Sequence, residues 1–508
     1  MYAKVTSLGL FGLDAYPIET EADTAGGLPA FELVGLPDAA VSESRGRVRA
    51  AIKNTGFTFP VSRITVNLAP ADRKKTGPVY DLPILLAILA ASGQLPAPTQ
   101  HQAFLGEVAL DGTLRRIDGA LPMALCAAQN GITELFLPQE NAAEAATAQD
   151  VRVYGVSSVA QVAAHLTGEV QLTPQQPVPF AGSMPHYGVD MAEVKGQATA
   201  RRALEIAAAG AHNLLLIGPP GSGKSMLAKR LPTILPNLTF EEAVDTTKIY
   251  SNAGLLPANR ALLSERPFRA PHHTVSAAGL AGGGSVPRPG EISLAHNGVL
   301  FLDELPEFER RDTEVLRQPM EDGKLTVSRA AGSVTFPSRC MVVAAMNPCP
   351  CGNFGSAGKQ CRCAPHEVER YLSRVSGPLL DRFDLQVEAA ALPYEDISAN
   401  TVSESSAAIR QRVEAARERA AYRFKGTGIA ANAQMGPQLT HQYCTLQPDA
   451  AQMLQRAFDR FGFTARAYDK VLRVARTIAD LAGSEYITSA HIAEAVRYRM
   501  LDKKYWQG

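Results

Sequence analysis

The chain has 508 residues, 46% of them hydrophobic and 20% charged, and its 50 basic side chains are balanced by 50 acidic ones. That is the composition of an ordinary globular protein with core enough for about three domains, and it excludes binding of nucleic acid through overall charge, so any such contact must be local. Met1 to Glu19 holds an apolar run broken by Asp14, and the longest apolar stretch, Leu82 to Ala91, is too short to cross a bilayer; we expect a cytoplasmic protein with no membrane partner and cysteines that are reduced or metal-bound.

Residues 1–170 mix strand-like runs, such as Arg63-Ile64-Thr65-Val66-Asn67-Leu68, with Ala-rich helical ones, such as Leu82 to Ser92, and so predict an α/β domain. Gly35-Leu36-Pro37-Asp38 and the run from Val66 to Pro78 resemble the Lon-protease-like domain. Where that family supplies its serine, Val79 follows Gly77-Pro78, and where its catalytic lysine aligns stands Met123. Neither residue can form or activate a nucleophile, so the expectation is an inactive scaffold for oligomerisation or DNA contact. Two basic clusters, Arg45, Arg47, Arg49 and Lys53, then Arg73, Lys74 and Lys75, are read equally well as DNA contacts or as a solvated face. From Thr173 to Pro185, prolines among Gln, Gly and Ser mark a linker, which we bound at 171–188.

An ATPase core is expected over 189–392. Lys195 to Gly210 reads as a helix, and Val194, Lys195, Gly196 and Gln197 lie where an adenine would be approached. After it, the apolar run Asn213 to Ile217 leads into Gly218-Pro219-Pro220-Gly221-Ser222-Gly223-Lys224-Ser225, and Met226 to Leu231 reads as a helix stopped by Pro232. This fits G-x-x-x-x-G-K-[ST] at every fixed position, in the strand–loop–helix context the motif needs. Glycines let backbone N–H groups converge on a phosphate, the helix N-terminus adds positive potential, Lys224 reaches the β- and γ-phosphates, and the Ser225 hydroxyl joins Mg²⁺. ATP and Mg²⁺ are the expected cofactors.

Further along, the strand-like Gly298 to Leu302 ends in Asp303-Glu304. Phosphoryl transfer needs both acids: Asp303 to hold Mg²⁺ and Glu304 to orient or deprotonate water. A second strand, Met341 to Met346, ends at Asn347, whose amide would polarise that water or touch the γ-phosphate, or else simply turns the chain before Pro348. Cys349-Pro350-Cys351 and Cys361-Arg362-Cys363 follow. Four thiols over one loop can wrap a tetrahedral Zn²⁺, although C-x-C is tighter than the usual spacing and reduced structural or redox-sensitive thiols are the alternatives. Arg382, in Gly377-Pro378-Leu379-Leu380-Asp381-Arg382-Phe383-Asp384, is an arginine-finger candidate whose bland reading is a salt bridge to Asp381 or Asp384.

The remainder, 393–508, predicts a helical lid from apolar faces at Ile409, Val413, Ala416 and Ala420, at Leu454, Phe458 and Phe461, and at Tyr468, Val471, Leu472, Ala475 and Ala479, with Thr488 capping a final helix. Arg466 opens the lid helix that could reach a γ-phosphate. Arg473 and Arg476 are its rivals.

These landmarks follow the order of an AAA+ ATPase. Together with Arg266-Pro267-Phe268-Arg269-Ala270-Pro271-His272-His273-Thr274, Pro289 to Gly298 and Asn347-Pro348-Cys349-Pro350-Cys351-Gly352, they resemble the YifB/ComM family of magnesium-chelatase-like ATPases over nearly the whole chain. The resemblance implies an α/β AAA+ core with a helical lid, assembly as a hexameric ring and, from ComM members, DNA branch migration during natural transformation. The residues permit a DNA partner: Glu321 to Arg339 reads as a β-hairpin turning near Ala331-Gly332, and phosphate contacts would come from Lys324, Arg329, Arg269 and Arg288, unless these are solvated loop charges. The competing readings are a protein-remodelling or chelatase-type motor, for which no D-x-S-x-S signature of a metal-adhesion partner is found, and a protease, disfavoured by Val79 and Met123.

Overall fold

The structure is a computed structural model that describes residues 1–180, 187–258, 260–284, 287–329, 332–355, 359–391, 395 and 403–506, with the side chains of residues 502 and 503 excepted. The expected linker therefore falls partly outside the described residues, as do the start of the lid near residue 393 and Ala331 in the hairpin turn.

The N-terminal half is built on one mixed sheet. Strand β1 (Tyr2–Phe11) folds back on β2 (Asp14–Ala25), and β3 (Ala30–Val34), β4 (Arg63–Ala69), β5 (Gln102–Phe104), β8 (Glu134–Pro138) and β9 (Arg152–Val156) complete the order β3-β4-β2-β1-β5-β8-β9. The short strands β6 (Glu107–Val108) and β7 (Leu114–Arg115) pair apart from it. Alternate residues of β2 and β4 are buried, the period expected of a sheet covered on one face. The helix Asp81–Ala91 is apolar on every side because it is a core helix; only Ala90 is not fully buried. Val79 and Met123 belong to a single apolar cluster, with Met123 fully buried. The basic clusters divide. Arg47 grips the buried carboxylate of Asp81, and Lys75 is buried against the carbonyls of Pro70 and Arg73, whereas Arg45, Arg49, Lys53, Arg73 and Lys74 are exposed.

The second half is organised by a five-stranded parallel sheet, β11-β14-β17-β10-β18: β10 is Leu214–Ile217, β11 Phe268–Arg269, β14 Val299–Leu302, β17 Met341–Met346 and β18 Leu385–Glu388. Its inner strands read as continuous apolar runs because both faces are covered. The pleat sends Leu214, Leu216, Val299, Phe301, Val343 and Ala345 into a core shared with the helix Ala198–Gly210 and the C-terminal helices, while Leu215, Ile217, Leu300, Leu302, Val342 and Ala344 face the other side. The C-terminal helices are Ser406–Arg423, Pro437–Tyr443, Pro448–Phe461, Ala465–Leu481 and Ser489–Arg497. Phe458 and Tyr468 depart from the expected buried faces and lie against each other at the surface. A further short helix, Leu501–Trp506, follows the one that Thr488 begins, which the sequence pattern makes the last. Six residues are too few for an amphipathic period to show.

Two short hairpins stand off the parallel sheet, β12 (Gly282–Gly283) with β13 (Arg288–Pro289) and β15 (Lys324–Arg329) with β16 (Gly332–Pro337). One face of β15–β16 is apolar: Val327, Val334 and Phe336 cluster with Phe11 and Leu13 of the first β-turn of the chain. The two halves meet there and at a polar seam, where Asn252 donates to the Gly12 carbonyl, Ser251 bonds the buried Glu144 and Gly119 N donates to Ser251 O.

Candidate nucleotide site

The carboxyl ends of β10, β14 and β17 open on one side of the parallel sheet, and the expected residues meet there. Register explains it: β17 lies between β10 and β14, so Asn347, just past β17, stands between the phosphate loop after Ile217 and the acids after Leu302. Ligands bind at this edge in open α/β sheets. Lys224, buried at the start of the helix Lys224–Arg230, donates to Gly218 O at 2.8 Å, Pro219 O at 2.9 Å and Asn347 Oδ1 at 3.2 Å. Burial pushes its ammonium pKa down, against the opposing pull of the Asp303 and Glu304 charges. Ser225 Oγ donates to Asp303 Oδ2 at 2.5 Å.

The loop's glycines follow from its geometry. Gly221 and Gly223 have φ of +78° and +87°, and a Cβ on Gly218 would lie 2.1 Å from the Ala389 carbonyl. Ser222 Oγ is buried with no hydrogen-bond partner among the described residues, the kind of donor a phosphate oxygen satisfies. With Lys224 and the Ser225–Asp303 pair, the donor set fits a nucleoside triphosphate and its Mg²⁺: Lys224, the loop N–H groups and Ser222 on phosphate, Ser225 and Asp303 on the ion. Pro219 and Pro220 complete the loop.

Glu304 is exposed and has a left-handed backbone, φ 52°, that costs a non-glycine residue about 1–2 kcal/mol. His273 Nδ1 lies 3.9 Å from its Oε2, an approach that sequence spacing does not show because it depends on β11, which His273 follows, pairing with β14. Gln197 does more than the sequence suggests. Its amide bonds Ser222 O at 3.0 Å and Ala390 O at 2.6 Å, bracing the loop at the place where an adenine is expected near Val194, Lys195 and Gly196.

The arginines separate clearly. Arg382 is mostly buried, with Nη2 2.7 Å from Glu321 Oε1, Nε donating to Arg317 O at 3.1 Å and Nη1 to Pro378 O at 2.5 Å. Its acidic partner is thus Glu321, from the helix Arg317–Asp322, rather than Asp381 or Asp384. Arg473 is tied to the carbonyls of Ala433 and Met435, and Arg476 to those of Ser484 and Glu485, so both are fasteners within the lid. Arg466 stands exposed on the first turn of Ala465–Leu481.

The four residues expected on DNA do not form one set. Lys324 is exposed on the outward face of β15 with the Thr326–Thr335 and Ser328–Ser333 hydroxyl pairs at 3.0 and 2.9 Å, Arg329 is exposed at the end of that strand, and Arg288 is exposed on β13. Arg269 stands apart: its Nε and Nη2 are both held by Glu291 at 2.7 Å, a bidentate ion pair that braces the segment beside β11.

Beside the phosphate loop, Cys349, Cys351, Cys361 and Cys363 place their sulfurs within 4.8 Å of one another, and this cluster can hold a metal ion. Sulfur spacings of 3.4, 3.6 and 3.7 Å are far too long for a disulfide. They match the edge of about 3.8 Å in a tetrahedron of Zn–S bonds about 2.3 Å long.

Fold and site together define a P-loop nucleotide-binding protein of the AAA+ class. The family model for the magnesium chelatase subunit ChlI matches residues 190–397, with further models for subunit ChlI of Mg-chelatase at 20–141 and its C-terminal region at 403–499. The chain is 44% identical over 505 residues to a protein named YifB of Salmonella typhimurium, 99% of this chain and 97% of that one, and 43% identical over 510 residues to the competence protein ComM of Haemophilus influenzae, 98% and 97%. A fainter likeness, 24% identity over 302 residues, 57% of this chain and 32% of the other, links it to the DNA replication licensing factor Mcm6 of Drosophila melanogaster. The chain belongs to the YifB/ComM family of magnesium-chelatase-like AAA+ proteins, a membership that implies ATP and Mg²⁺ as ligands. Among the described residues no helix is long and apolar enough to cross a membrane.

Proposed function

We propose that the chain is an ATP-hydrolysing motor that remodels DNA as a homo-oligomeric ring of six subunits, by helicase or branch-migration activity in natural transformation or recombination. The observation that carries the hydrolytic part is the meeting of Lys224, Ser225, Asp303 and Asn347 at one sheet edge, with Glu304 beside them. Lys224 would neutralise the β- and γ-phosphates, Ser225 and Asp303 would hold Mg²⁺, and Glu304 would orient the attacking water with Asn347. Arg382, from a neighbouring subunit, and Arg466, from the lid, would stabilise charge on the transferred phosphoryl group. DNA as substrate is supported by the name of the competence protein that shares most of this chain, by the likeness to a replication licensing factor and by the exposed Lys324, Arg329 and Arg288. The cysteine cluster is read as a structural Zn²⁺ site, on the tetrahedral sulfur spacing.

The magnesium chelatase match favours one second reading, a motor acting on a partner protein. Hydrolysis measured with and without single-stranded and branched DNA separates the two. Stimulation by DNA supports the first reading, and indifference to every DNA form overturns it.

A further inference from the structure

The cysteine knot does more than close its own loop. Gly352, between Cys351 and Asn353, turns with φ +78°, and a Cβ built there would lie 2.2 Å from Pro220 Cδ and 2.8 Å from Pro220 Cγ. The knot's backbone is therefore pressed against the phosphate loop. Cys349 is fully buried, two residues beyond the Asn347 that touches Lys224, and accepts a hydrogen bond from Phe354 N at 3.3 Å. On its other side Phe354 packs near Tyr505, 6.3 Å between ring centroids, in the helix Leu501–Trp506, and Tyr505 Oη donates to Glu388 at the end of β18. The loop is thus backed by a wall running from Pro220 through the knot to the chain's last helix.

We propose that a Zn²⁺ bound by Cys349, Cys351, Cys361 and Cys363 holds this wall in place, so that nucleotide affinity depends on occupancy of the metal site. Apart from the metal, the sequence of the knot loop is polar and glycine-bearing, and its contact with Pro220 is made at Gly352. Ordering by the metal is its source of stiffness. The phosphate loop must present its N–H groups in one arrangement before the ligand arrives, and a backing that moves makes binding supply that ordering. The proposal rests on the reading of Gly218 to Ser225 as a nucleotide site.

The test uses the full chain, purified reduced and without chelators. Elemental analysis should find one zinc per chain, and titration with ATP·Mg²⁺ gives the reference affinity. Stripping the zinc should weaken ATP binding by roughly tenfold or more, about 1.4 kcal/mol, with helical circular dichroism unchanged, and restoring zinc should recover it. Gly352→Ala separates metal binding from its consequence: it keeps all four thiolates and should keep the zinc, yet its methyl group displaces the knot from Pro220 and should weaken ATP binding by a similar factor. Absence of zinc, equal ATP affinity with and without it, unchanged affinity in Gly352→Ala, or global unfolding on stripping would each overturn the proposal, the last in favour of a plain structural metal. Failure of the zinc-loaded chain to bind ATP would instead overturn the nucleotide reading.

Discussion

At Lys224 and Glu304 two neighbouring charges have different tasks, and their surroundings show why. Lys224 is buried under carbonyls and an amide that a phosphate would displace or join, so its charge serves binding. Lys224→Ala is expected to abolish ATP binding, read by titration, and to leave the fold intact because it also removes a buried charge. Glu304 stands exposed at the mouth, with His273 Nδ1 3.9 Å from its Oε2. Glu304→Gln should bind ATP as the parent does and hydrolyse it about 10² to 10⁴ times more slowly, the usual worth of a general base. Parental turnover in that variant would remove Glu304 from the mechanism.

Elements bring their own constraints, and the turn between the helix Glu291–Leu294 and β14 shows one. His296 is buried there, its Nδ1 accepting from Arg339 N at 3.0 Å, and burial holds the imidazole at about 4, well below its ordinary 6.5. A folded-state value below the unfolded one means that the unfolded chain takes up the proton first. Stability should therefore be full above pH 6.5 and fall as pH drops toward 4, by roughly 3 kcal/mol for this group. Denaturant unfolding followed by the single tryptophan, Trp506, between pH 7.5 and 4.5 measures it; His296→Asn should be less stable at pH 7 and show a shallower decline. A decline as steep as the parent's would assign the acid sensitivity to other groups. The hairpin β15–β16 is the second case. Its apolar face lies on Phe11 and Leu13, which leaves its outer face, carrying Lys324, and its tip, where Arg329 is exposed. Lys324→Ala with Arg329→Ala should weaken DNA binding irrespective of sequence and flatten log K against log salt by ~0.7–0.9 for each phosphate no longer neutralised, with basal hydrolysis unaffected. Unchanged affinity and slope would exclude the hairpin from the DNA path.

The proposed ring makes one claim about the whole assembly. Arg382 is held by Glu321, Arg317 O and Pro378 O on the face that precedes β18, and to act in trans it must leave Glu321 for a neighbour's γ-phosphate. Lys224→Ala and Arg382→Ala chains, each inactive alone, should recover part of the hydrolysis when mixed, since some interfaces then join an intact loop to an intact arginine. Mixed rings shown by differently tagged subunits but without recovered activity would return Arg382 to a structural role.

Much of this molecule can be read before folding because its chemistry is local. The phosphate loop is eight consecutive residues, Asp303-Glu304 and Asn347 each end an apolar run of strand length, and the four cysteines lie within one loop, so type and spacing along the chain are enough to name them. The apolar faces of the C-terminal helices are legible for the same reason, except where Phe458 and Tyr468 turn outward. What lies beyond reach is decided by which distant segments touch. Guanidinium groups look alike in a sequence, yet Arg269 is locked to Glu291, Arg476 fastens the lid's own carbonyls and Arg466 stands exposed. The approach of His273 to Glu304, the clamp from Gln197 onto Ser222 O and the close fit of Gly352 on Pro220 join residues with no periodic relation to each other. Side-chain chemistry is written residue by residue, whereas its partners are set by strand order and packing, which bring β17 between β10 and β14 and fold the first β-turn onto the hairpin.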